Sequence, residues 1–134
     1  MCVRVLSLFD GISVGYGALI QEGFVIEKYY ASEIDRFAIA VSAANHPGIV
    51  QVGCIKALDT RALAELGRID ILLAAPPCQG FSPAGKRHGF GHAQSRLYYD
   101  FLRVLREMKP TWCLIENVAS PQLIEALKKT TWAV

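Results

Sequence analysis

Val3-Arg4-Val5-Leu6-Ser7-Leu8, followed at once by Phe9-Asp10-Gly11-Ile12-Ser13-Val14-Gly15, is the stretch that decides the fold of this 134-residue chain. The first six residues read as a buried strand, the glycines punctuate a turn, and an apolar-periodic stretch runs on to about Gly23. Strand, glycine turn and helix form the opening unit of an α/β sheet. The same alternation continues outward. A second strand is expected over Val25 to Ser32, and an alanine-rich helix over Arg36 to Asn45, stopped by His46-Pro47-Gly48. A short strand near Val50 to Val52 and a helix from about Thr60 to Leu66 follow.

Ile69 to Ala75 is the most apolar run, bounded by Asp70 and Pro76-Pro77, and reads as a central parallel strand buried on both faces. A loop from Gln79 to Ser95 carries glycines at 80, 85, 89 and 91. A helix over Arg96 to Met108, a strand over Trp112 to Glu116 and a helix over Pro121 to Lys129 complete the order. Strands alternating with helices imply a doubly wound, mostly parallel sheet with right-handed crossovers. Thr131-Trp132-Ala133-Val134 looks like the start of a further strand, so the sheet is expected to be incomplete at its C-terminal end. With no repeat, low-complexity tract or linker, residues 1–134 are read as one domain.

Composition narrows the function by exclusion. With 52% hydrophobic residues the chain has ample material for one core, which argues against disorder. A net charge of +2 and a pI near 8.4 are too mild to announce a nucleic-acid partner, whose footprint would be a pI above about 9 with clustered Lys and Arg. Cys2, Cys54, Cys78 and Cys113 lie far apart, in neither CxxC nor zinc-finger spacing, so no metal site or disulfide framework is expected. No apolar run approaches the roughly 18 residues needed to span a bilayer, and residues 1–10 lack a cleavable signal pattern. The chain reads as cytoplasmic, or nuclear if eukaryotic.

In a doubly wound sheet, ligands bind outside the carboxyl ends of the strands. Four groups of residues fall there. Gly11 and Gly15 let the backbone of the first turn approach a ligand, although a glycine turn alone is equally a tight strand-to-helix connection. Glu33 ends the second strand 22 positions after Gly11, close to the spacing of about 20 at which an acid meets ribose hydroxyls. Alone, it would pass for a solvated strand-end carboxylate; with the turn, it points to an adenosine-containing cofactor. Pro76-Pro77-Cys78-Gln79 follows the most buried strand, and the two prolines stiffen the backbone there. A thiolate so held suits addition to an electron-poor ring, whereas a bare cysteine is commonly a small buried hydrophobe. Glu116-Asn117-Val118 closes the neighbouring strand, where a carboxyl can share a proton with a ring nitrogen or merely cap the next segment.

In these motifs, taken in order, the chain resembles the C5-cytosine DNA methyltransferases, and its Leu8-Phe9-Asp10-Gly11 opening is similar to the animal de novo branch. The resemblance implies a Rossmann-like, S-adenosylmethionine-dependent fold. It implies a cofactor site of Phe9, Asp10, Gly11, Gly15, Glu33, Ile34, Cys54, Ile55 and Pro76. It further implies Cys78 as nucleophile, Glu116 as active-site acid, and Pro77, Gln79, Ser82, Arg96, Asn117 and Val118 against a flipped-out cytosine of double-stranded DNA. Lys86, Arg87, His88 and His92 would then sit in a flap over the base, or simply in a solvated loop. Two departures stand out. Cys54 occupies the place of an acid that usually contacts the adenine amine, and a thiol is a poor acceptor. The Gln-Arg-x-Arg motif, a target-recognition domain and a C-terminal asparagine motif are missing, so specificity is expected from outside these residues, in cis or from a second chain. Two other readings stay open: a non-catalytic partner subunit, and an RNA cytosine methyltransferase.

Overall fold

The computed structural model describes residues 1–77, 97–117 and 121–129. Five parallel strands form the sheet: β1 (Cys2–Leu8), β2 (Val25–Ser32), β3 (Val50–Gln51), β4 (Ile71–Ala74) and β5 (Trp112–Ile115). The helices are α1 (Val14–Gln21), α2 (Arg36–Asn45), α3 (Thr60–Leu66), α4 (Leu97–Met108) and α5 (Pro121–Lys128). A 3-10 turn, Ile55–Ala57, precedes α3 and was not foreseen from the sequence. The strand order β3-β2-β1-β4-β5 reverses direction between β1 and β4, the topological switch point of a doubly wound sheet.

Local chemistry sets several boundaries. Asp35 caps α2 by accepting the N–H groups of Phe37 and Ala38, and Asp59 caps α3 through the N–H of Ala62. The fourth strand is shorter than the apolar run suggests. Asp70 turns its carboxylate to the N–H of Arg4 at 2.9 Å, and the regular ladder starts only at Val5 opposite Ile71. Ile69 remains buried but lies outside the strand.

The two faces of the sheet support separate cores. Leu6, Leu8, Leu72 and Ala74 face α3 and α4, where Leu63, Leu66, Phe101, Val104 and Leu105 close over them. Along α4 the buried residues Tyr98, Phe101, Leu102, Val104 and Leu105 follow the helical period, so one stripe is sequestered. Each such side chain contributes roughly 1.5–3 kcal/mol on burial. On the opposite face Val3, Val5, Tyr29, Ala31 and Ile71 pack with Tyr16 and Leu19. β4 contributes to both cores and has a strand on each side, which is the central placement read from its sequence.

Candidate active site

The turn after β1 is built from backbone that side chains rarely favour. Phe9, Gly11 and Ser13 have φ of 58°, 60° and 65°, all left-handed. Asp10 anchors this turn twice. Its N–H donates to the Ser32 carbonyl at 3.2 Å, and its carboxylate accepts the hydroxyls of Tyr29, at 2.7 Å, and Ser13. Burial, and then the adjacent Asp10 charge, push the Tyr29 phenol well above its ordinary value, so it remains a proton donor. Gly15 is required for a different reason: a Cβ there would lie 2.6 Å from Leu73 Cδ1 and 3.2 Å from the Tyr29 hydroxyl. Its missing side chain lets α1 sit close on the sheet.

Glu33, at the end of β2, reaches across to this turn. One carboxylate oxygen accepts the Gly11 N–H at 2.8 Å, while the other accepts the N–H groups of Ile34 and Asp35 at 2.7 and 3.0 Å. Ser32 donates to the Gly53 carbonyl at 2.7 Å and so fixes the approach to Cys54. Arg103 of α4 donates to the carbonyls of Leu58 and Ile55 at 2.7 and 3.2 Å, which pins the 3-10 turn. Between these anchors lies a cavity of about 380 Å³ lined by Phe9, Ser32, Glu33, Ile34, Cys54, Ile55, Ala75, Pro77 and Leu97. That size is within the range of small-molecule sites, roughly 300–1,000 Å³. Its chemistry is a carboxylate at one side of largely apolar walls, which fits a flat ring joined to a hydroxyl-bearing sugar.

A second hollow, about 470 Å³, runs along α3 beside the C-terminal end of α4 and is lined by Thr60, Gly67, Arg106 and Lys109 among others. Gly67 and Lys109 on its wall lead into the amino ends of β4 and β5, away from the edge where this sheet takes ligands. The smaller cavity is the better candidate.

Beyond the carboxyl ends of β4 and β5 the two segments stay paired. The Glu116 N–H donates to the Ala74 carbonyl at 2.9 Å, and the Asn117 side-chain amide to the Pro76 carbonyl at 3.0 Å. Glu116 is exposed, one strand away from Pro77. Cys78, Gln79, Ser82, Arg96 and Val118 lie outside the described residues, as do Lys86, Arg87, His88 and His92.

Six of the residues singled out in the sequence, Phe9, Glu33, Ile34, Cys54, Ile55 and Pro77, share the wall of the smaller cavity. Asp10, Gly11, Gly15 and Pro76 are not on that wall; they shape the turn, the packing of α1 and the β4–β5 junction. Sequence reading missed Ser32 and Ala75, each one position before a motif that it found, and Leu97, which no local signal marks. Among the described residues no group of three or more His, Cys, Asp or Glu could hold a metal ion, and no helix is long and apolar enough to cross a membrane.

Comparison with known proteins agrees with this architecture. Over 118 residues the chain is 36% identical to the orphan methyltransferase M.Rho11sI of Bacillus phage rho11s, covering 87% of this chain and 23% of that protein. It is 36% identical over 120 residues to the type II methyltransferase M.NgoBV of Neisseria gonorrhoeae, covering 87% of this chain and 28% of the relative. The chain thus spans about a quarter of the length of these relatives. The crystal structure of the S. pombe Dnmt2 methyltransferase superposes with a TM-score of 0.72 at 24% identity, over 96% of this chain and 39% of that one, a likeness of fold. The family model for the C-5 cytosine-specific DNA methylases matches residues 3–134, nearly the full sequence, and the chain belongs to that family.

Proposed function

We propose that this chain carries the cofactor-binding and nucleophile-bearing part of a DNA (cytosine-5-)-methyltransferase that uses S-adenosylmethionine. The observation that carries this reading is the convergence of Phe9, Glu33, Ile34, Cys54, Ile55 and Pro77 on one cavity at the carboxyl edge of the sheet, in a member of this family. In this reading Glu33 accepts the ribose hydroxyls, while Phe9, Ile34 and Ile55 enclose the purine. The bound cofactor supplies an electrophilic methyl group.

The remaining chemistry belongs to the chain. Cytosine C5 is a poor nucleophile until C6 is attacked, so the Cys78 thiolate adds to C6 while Glu116 holds a proton at N3, which leaves C5 electron-rich. After methylation, loss of the C5 proton expels Cys78. Asn117 supports this geometry by tying β5 to the Pro76 carbonyl, two residues before the nucleophile. The target base must leave the duplex to reach such a site. In the relatives the matching segment is a minor part of one longer chain, which lends no support to a separate second subunit.

The test is to incubate the protein with cofactor and an oligonucleotide carrying 5-fluorocytosine, in DNA and RNA forms, and to weigh the product. Fluorine blocks the final elimination, so a covalent adduct on DNA is expected with wild type and none with Cys78→Ser. An adduct that survives Cys78→Ser would refute the assignment, and one formed on RNA alone would change the substrate class.

A further inference from the structure

Beneath the turn that follows β1 lies a line of polar groups that lines neither of the two cavities described above. Tyr29, Ser13 and Ser42 are 1%, 0% and 0% exposed. The Tyr29 hydroxyl donates to one oxygen of Asp10 at 2.7 Å, and the Ser13 hydroxyl donates to the other. Because Ser13 directs its proton to Asp10, the Ser42 hydroxyl, 2.6 Å away, is the donor to Ser13. The chain of bonds runs from α2 through the start of α1 to β2.

Burying hydroxyls beside a half-buried carboxylate is unfavourable unless each finds a partner, and apolar residues would fill the same space at less cost. The bonds converge on a turn in which two non-glycine residues, Phe9 and Ser13, are left-handed, a conformation that persists there only where the surroundings over-determine it. Glu33 holds the turn from the cavity side through Gly11; Tyr29, Ser13 and Ser42 hold it from below.

We propose that Tyr29, Ser13 and Ser42, all buried, together with the half-buried Asp10, form a positioning relay that presets the turn of residues 9–13 for the adenosine-containing ligand. Tyr29 and Ser42 are therefore positioning residues, and Asp10 acts through the turn rather than on the ligand. The inference rests on the methyl-donor reading of the cavity.

Tyr29→Phe and Ser42→Ala, each made in the full chain, test it by two readouts. Amide hydrogen exchange at Gly11 to Ser13, without ligand, should speed up in both. Calorimetric affinity for S-adenosylhomocysteine, measured well below unfolding, should fall about threefold to tenfold, the scale of one lost hydrogen bond. Ile69→Val, which trims the core on the other face of the sheet, should lower the unfolding temperature and leave both readouts alone. If wild type binds and Tyr29→Phe and Ser42→Ala match it in exchange and affinity, the relay is overturned. A wild-type protein that binds no S-adenosylhomocysteine would instead overturn the methyl-donor reading itself.

Discussion

Glu33 and Gly11 are 22 residues apart in the chain, yet the Glu33 carboxylate accepts the Gly11 N–H at 2.8 Å and locks the end of β2 to the turn after β1. Because the second oxygen takes two further N–H groups, from Ile34 and Asp35, this side chain serves three backbone donors while it faces the cavity.

Replacement of Glu33 by Gln should therefore cost more than the loss of a charge. Glutamine has one accepting oxygen, so its amide would meet either Gly11 or the Ile34–Asp35 pair donor to donor. Each charge-assisted bond lost corresponds to about 1.5–3 kcal/mol. Affinity for S-adenosylhomocysteine should drop at least about tenfold by calorimetry, with a lower urea midpoint. Unchanged binding would remove Glu33 from the site.

Two glycines of α1 should respond in opposite directions to alanine. At Gly15 the new Cβ would meet Leu73 Cδ1 at 2.6 Å, whereas at Gly17 it meets nothing within 4 Å. Alanine gains about 1 kcal/mol over glycine in a helix, but overpacking costs about 1–3 kcal/mol. Gly17→Ala should raise the unfolding midpoint and Gly15→Ala should lower it. The Gly15→Ala, Leu73→Ala pair should be less destabilised than the sum of its parts.

Cys54 lines the cavity with a thiol, a weak acceptor for an exocyclic amine. Cys54→Asp should tighten binding of S-adenosylmethionine by about tenfold, the scale of a bond to a charged acceptor. Titration with an analogue lacking the adenine amine should show no gain. Equal or weaker binding of the parent cofactor would place Cys54 away from the adenine.

The protein should weaken in alkali. Burial pushes the Cys113 thiol up to about 11 from 9.0, and burial followed by the Cys113 charge pushes the Tyr98 phenol up to about 12 from 10.0. In the unfolded chain these groups lose their protons first, at about pH 9 to 10. Their contribution to stability is whole below that range and is lost as pH rises through the folded values. Urea midpoints should hold steady to about pH 8 and fall between about pH 9 and pH 11, less steeply in Cys113→Ala. A flat profile to pH 11 would contradict the burial of both groups.

The order of elements was legible in the sequence because each is set by apolar period and stop signals within a few positions. The limits of β2, α2 and α3 agree with the local reading at both ends. Glu33 and the Pro76-Pro77 motif were legible as strand ends for the same reason. What only the tertiary structure decided is which of these ends meet. Phe9, Glu33, Cys54 and Pro77 share one wall because β1 lies between β2 and β4, a pairing fixed by ladders between residues far apart in the chain. The role of Gly15 likewise depends on Leu73, 58 positions away, and that of Asp10 on Tyr29. A local pattern states that a glycine or a carboxylate stands at a turn; the neighbour that makes it necessary is chosen by the packing of the whole sheet.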